Sequence, residues 1–118
     1  MSNEITSRPW GTYEVLLDSE ECKVKRITVN PNQRLSYQYH HHREEFWTVV
    51  KGEGTVTLEG KDIVVKEKEQ IHIPKTAKHR MANLTNYVVV FIEIQMGTYF
   101  GEDDIIRLED DYQRRSED

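Results

Sequence analysis

The run Gln38-Tyr39-His40-His41-His42-Arg43-Glu44-Glu45-Phe46-Trp47-Thr48-Val49-Val50-Lys51-Gly52 holds the side chains best suited to chemistry. Three consecutive histidines followed closely by a glutamate suggest a metal site. Neutral imidazole and carboxylate are the usual ligands of borderline and hard divalent ions. In an extended strand, residues i and i+2 share a face, so Gln38, His40 and His42 point one way and His41 the other. After a turn through Arg43 and Glu44, a second strand is expected from Glu45 to Lys51. Such a hairpin would set ligands on its facing sides and would need a fourth from elsewhere.

The fourth candidate is His79, in Ile73-Pro74-Lys75-Thr76-Ala77-Lys78-His79-Arg80-Met81-Ala82-Asn83. Together the two stretches resemble the paired cupin motifs, HxH-x4-E-x6-G and P-x-G-x2-H-x3-N. Gln38 stands in the first histidine slot, His40 in the second, then Glu45 and Gly52. Pro74, His79 and Asn83 fit the second motif, with Thr76 in its glycine slot; Lys68 occupies another glycine slot. Gln-x-His in place of His-x-His is similar to the metal site of phosphomannose isomerases. The longer string Gln-x-His-His-His-Arg-x-Glu-x-Trp resembles the isomerase domain of the type II enzymes, which often carry a mannose-1-phosphate guanylyltransferase domain in front. The likeness runs from Arg8-Pro9-Trp10-Gly11 to Gly101-Glu102-Asp103-Asp104-Ile105.

The resemblance implies Gln38, His40, Glu45 and His79 as ligands of one divalent ion, zinc first, with manganese, iron, nickel or cobalt as the other choices. It implies a mannose-6-phosphate isomerase, interconverting mannose 6-phosphate and fructose 6-phosphate. A metal would polarise the carbonyl, and a base would move the proton between adjacent carbons. Glu93, His42 and Glu102 are the candidates for that base. Arg43, Lys78 and Arg80 border the two motifs and are expected to hold the substrate phosphate, since Arg suits planar contact with phosphate. Two other readings stand beside the isomerase: a non-catalytic sugar-binding or regulatory cupin, and a metal-dependent oxygenase. Gly52-Glu53-Gly54 links two strands and has no helix behind it to present to a nucleotide phosphate.

The elements that must position these residues read as β-strands throughout. Cys22–Val29 alternates, with Lys23, Lys25, Ile27 and Val29 on one face. Asn30-Pro31-Asn32-Gln33 marks a turn. Tyr87–Gln95 is the most β-prone run, and Glu93 and Gln95 interrupt it on the face of Val89 and Phe91. Short strands with turn signals every eight to twelve residues predict an all-β sandwich or barrel, and the resemblance implies a single cupin jelly-roll β-barrel over residues 1–118. Residues 1–7 are expected as a flexible arm, and residues 109–118 as a mobile acidic tail.

Length and composition bound the rest. A chain of 118 residues is one domain by length, too short for a core plus a nucleotide-binding domain. A net charge of -5 argues against nucleic acid as the main partner. No apolar run is long enough to span a membrane, and the start lacks the features of a signal peptide. One cysteine, Cys22, fits a reducing cytoplasm. A small sugar phosphate is the expected ligand. A homodimer is the expected assembly, with the N-terminal arm pairing on a neighbour's exposed sheet edge.

Overall fold

The computed structural model describes residues 4–112, which form strands and connecting loops without a helix. No helix among these residues is long and apolar enough to cross a membrane. The strands are β1 (Ile5–Arg8), β2 (Gly11–Asp18), β3 (Lys23–Val29), β4 (Tyr37–Tyr39), β5 (Arg43–Lys51), β6 (Gly54–Leu58), β7 (Lys61–Val65), β8 (Gln70–Ile73), β9 (His79–Ala82), β10 (Val89–Gly97) and β11 (Ile106–Glu109). A six-stranded sheet runs β1-β2-β3-β10-β5-β8, and a five-stranded sheet runs β11-β4-β9-β6-β7. Every pairing is antiparallel. The two sheets face each other as the expected jelly roll.

Alternation decides which side chains enter the space between the sheets. On β5, Arg43, Glu45, Trp47 and Val49 are buried while their neighbours are partly or fully exposed. On β3, Lys25, Ile27 and Val29 turn inward. Trp47, Val49, Phe91, Val29, Val56, Ile73 and Met81 fill one end of the interior, each at most 4% exposed where the apolar packing is densest. Closing this end with apolar groups leaves the other end to Gln38, Arg43, Glu45, Glu93 and Gln95, all buried. The chain is therefore apolar at one end of the barrel and polar at the other.

Three features differ from the sequence expectation. Strands β4 and β5 do not form a hairpin: β4 belongs to the five-stranded sheet and β5 to the six-stranded one. Residues 40–42 carry the chain from one sheet to the other, and β4 meets β9 through the single pair Gln38↔His79. Secondly, part of the expected arm is an ordered strand, because Ile5–Arg8 pairs with Gly11–Glu14 of the same chain. Within the chain, β1 thus covers the free edge of β2. Thirdly, Glu109 ends β11, and Asp111 accepts two hydrogen bonds from Arg34 at 2.8 and 2.9 Å. The Tyr112 hydroxyl meets Gln33. The remainder of the expected arm and tail, residues 1–3 and 113–118, lies outside the described residues.

Candidate metal centre

His40, Glu45 and His79 bring one potential ligand atom each to within 4.8 Å of one another, and all three are buried. They come from three places: the end of β4, the start of β5 and the start of β9. Gln38 sits directly opposite His79 in the β4–β9 ladder, which puts both side chains on one face. Its Oε1 accepts a hydrogen bond from the Ser36 hydroxyl at 2.8 Å and keeps a second lone pair.

Hydrogen bonds fix both imidazole tautomers. His79 Nδ1 lies 2.8 Å from the Ala77 carbonyl, an acceptor, so Nδ1 bears the proton. Nε2 then holds a bare lone pair, buried and without a hydrogen-bond partner. His40 Nε2 lies 3.0 Å from an Arg43 terminal nitrogen, which can only donate, so here too Nε2 is the acceptor. Burial lowers the His40 pKa to about 4 against the opposing pull of Glu45, and burial lowers His79 as well. Burial works against the Glu45 carboxylate, but His40, Arg43 and His79 together hold its pKa well below the usual range. At neutral pH the trio is two neutral imidazoles and one carboxylate, the protonation state a divalent cation requires. The orphaned His79 Nε2 and this donor set fit such a cation.

Next to the trio, and bordered on that side by Gln38 and Arg43, lies a cavity of about 70 Å³ lined also by Arg8, Trp10, Lys25, Glu93, Glu102 and Arg107, among others. Burial, with the nearby Glu45 charge, pushes Glu93 up to about 8, so it is a neutral acid at pH 7. Glu93 Oε2 accepts from Gln95 Nε2 at 2.7 Å. Glu102 meets Lys25, and that ammonium keeps it ionised although burial opposes the charge. Four cationic side chains thus face one ionised carboxylate on the cavity wall.

The structure divides the residues singled out from sequence. Arg43, Glu93 and Glu102 line the cavity; Lys78, Arg80 and His42 do not. Arg80 follows inward-facing His79 and so points to the opposite face, donating to the Leu35 carbonyl at 3.0 Å. Lys78 is exposed, with its amide bound by Glu59 at 2.7 Å. His42 is exposed because β4 ends at Tyr39, and strand parity no longer applies to residues 40–42. Asp104 holds this crossing by accepting the His41 and His42 amides at 3.0 and 2.9 Å. His72 is a surface residue bound to Glu44 at 2.7 Å. Sequence reasoning did not single out Lys25, Arg107 or Asp104. Lys25 carried a usable signal, since it shares its strand face with Ile27 and Val29.

Both glycine-slot substitutions keep a left-handed backbone, φ +73° at Lys68 and +66° at Thr76. The Thr76 amide donates to the His40 carbonyl at 2.9 Å, so this conformation ties the β8–β9 loop to a candidate ligand. A β-branched residue resists left-handed φ. Thr76→Gly is therefore expected to stabilise the chain by about 1 kcal/mol in urea unfolding.

Residues 2–110 match the family model "Mannose-6-phosphate isomerase C-terminal". The chain is 46% identical over 110 residues to the alginate biosynthesis protein AlgA of Pseudomonas aeruginosa, covering 93% of this chain and 23% of that protein. It is 45% identical to the mannose-1-phosphate guanylyltransferase ManC of Salmonella typhimurium, covering 91% of this chain and 22% of the relative. The xanthan biosynthesis protein XanB of Xanthomonas campestris is 44% identical, with 91% and 23% covered. The chain thus spans less than a quarter of the length of these relatives. Among solved structures, the capsular polysaccharide assembling protein CapF of Staphylococcus aureus superposes with a TM-score of 0.80 at 18% identity, covering 92% of this chain and 33% of that one. A sugar phosphate isomerase of the cupin superfamily from Silicibacter pomeroyi gives 0.66 at 17% identity, with 74% and 59% covered. These similarities establish the cupin fold. They overturn the expected mannose-6-phosphate isomerase activity, because the curated relatives are named for guanylyl transfer or for alginate and xanthan biosynthesis, and not for isomerisation.

Proposed function

Because the chain belongs to the mannose-6-phosphate isomerase C-terminal family, we propose that it is a divalent-cation-binding module that holds a mannose phosphate. It would serve the activation of mannose for polysaccharide synthesis, the setting in which its guanylyltransferase relatives are named. One observation carries this reading: a buried His40–Glu45–His79 cluster adjoins a cavity walled by four cations and one ionised carboxylate. Such a wall favours a dianionic group, and a cavity of about 70 Å³ has room for a phosphate or a few waters. Gln38, His40, Glu45 and His79 would hold the cation, which would add a positive charge beside the anion. A neutral amide in the set leaves more of that charge uncompensated than a second carboxylate would. Guanylyl transfer is not assigned to these residues, since Gly52-Glu53-Gly54 joins β5 to β6 and presents no helix terminus.

Calorimetric titration of the cation-loaded chain tests the reading. Mannose 1-phosphate is expected to bind at least about tenfold more tightly than mannose, from one or more charge-assisted contacts, and chelation should weaken it. Equal affinity for mannose and its phosphate would overturn the anion site. Absence of stoichiometric cation binding would overturn the metal centre.

A further inference from the structure

Arg43 occupies the place where the cluster and the cavity meet. Its Nε donates to Glu45 Oε2 at 2.9 Å, and a terminal nitrogen donates to His40 Nε2 at 3.0 Å. The guanidinium therefore takes up lone pairs on two of the three candidate ligands. The residue is 4% exposed, and its other terminal nitrogen, Nη1, is buried without a hydrogen-bond partner. Such an orphaned donor on a cavity-lining side chain is a group short of an acceptor.

A cation and this guanidinium cannot share the site. Coordination by His40 would use the lone pair that Arg43 now holds, and two positive charges would lie side by side in a buried place. Arg43 must leave for a cation to be bound. Arg43 lines the cavity, and a phosphate there would offer a bidentate acceptor that also satisfies Nη1.

Resting on the proposed cation and phosphate sites, we propose that Arg43 is a built-in competitor of the cation, and that a phosphate-bearing ligand draws it off the cluster. Cation and anion then bind cooperatively through one side chain with two positions. The coupling is reciprocal by linkage: whatever factor phosphate adds to cation affinity, the cation adds to phosphate affinity. Without anion, the apparent cation affinity is reduced by the fraction of molecules in which Arg43 has released His40 and Glu45.

The experiment measures Mn²⁺ binding to the full chain from the free-ion signal in electron paramagnetic resonance. Titrations are run in mannose 1-phosphate and in mannose with chloride at matched ionic strength, on wild type and on Arg43→Gln. Wild type should bind Mn²⁺ about tenfold or more tightly when the phosphate is present. Arg43→Gln should bind tightly in both media, with the phosphate effect largely gone. The two wild-type titrations decide the matter even where the variant folds poorly. Measurable Mn²⁺ binding that is indifferent to the phosphate in wild type overturns the coupling but leaves the metal centre standing. No Mn²⁺ binding in either protein overturns both.

Discussion

Glu45→Ala is expected to lower the stability of the metal-free chain by about 3–5 kcal/mol and to abolish cation binding, since truncation strands a buried Arg43 guanidinium without its counter-charge. Glu45 is 1% exposed and accepts from two donors at once. Arg43 Nε reaches Oε2 and Trp47 Nε1 reaches Oε1, each at 2.9 Å. Glu45→Gln should therefore fail as well, more mildly, because an amide has one oxygen and would turn its NH₂ toward a donor. Urea unfolding at pH 7 with a chelator present measures both variants. A loss below about 1 kcal/mol for Glu45→Ala would show that the pair is not desolvated. The carboxylate contribution is present above the ordinary carboxyl pKa and is lost as pH falls below it, because the folded pKa is depressed.

The second large effect is a stability maximum near pH 6.5 that Glu93 creates. Its folded pKa is raised to about 8, so its contribution is complete below the ordinary carboxyl pKa and declines as pH rises toward 8. His40 and His79 act in the opposite sense, since their folded pKa values are lowered and they favour folding more as pH climbs to about 6.5. Above that value the histidines are neutral in both states, and Glu93 acts unopposed. Metal-free wild type should lose about 2 kcal/mol between pH 6.5 and 8, at up to about 1.4 kcal/mol per pH unit. Glu93→Gln stays neutral and still accepts from Gln95, so its profile should be flat over that window. Parallel profiles for wild type and Glu93→Gln would refute the buried acid.

The candidate ligands were legible because a metal set is written in residue types at strand spacings. His40, Glu45 and His79 meet as the paired motifs imply, and Glu93 was marked by an acid on an apolar strand face. What sequence adjacency could not convey was the third dimension. Arg80 stands beside His79 in the chain and is on the other face of the sheet, which strand parity alone could have shown. His42 shares parity with His40, but the strand stops at Tyr39 and Asp104 redirects the chain. That Gln38 and Glu45 lie in different sheets depends on closure between distant strands, and no local pattern records it. Lys25 was visible as an inward residue. Its place at the cavity required knowing that β10 brings Glu93 alongside β3 through the pair Glu93↔Lys25.

The single pair Gln38↔His79 between β4 and β9 has a consequence for how the interior exchanges with solvent. Glu45 lies on a strand hydrogen-bonded on both sides, to β10 and to β8. Gln38 and His40 belong to a three-residue strand and its end, laddered to β9 through one residue pair and to β11, with the His40 carbonyl held besides by the Thr76 amide. Amide protons of β4 should therefore exchange through local opening at a small fraction of the global unfolding free energy, while those of β5 report the whole fold. Half of the ligand set can part from the other half without the barrel melting. An ion bound there could come and go on the timescale of that local breathing.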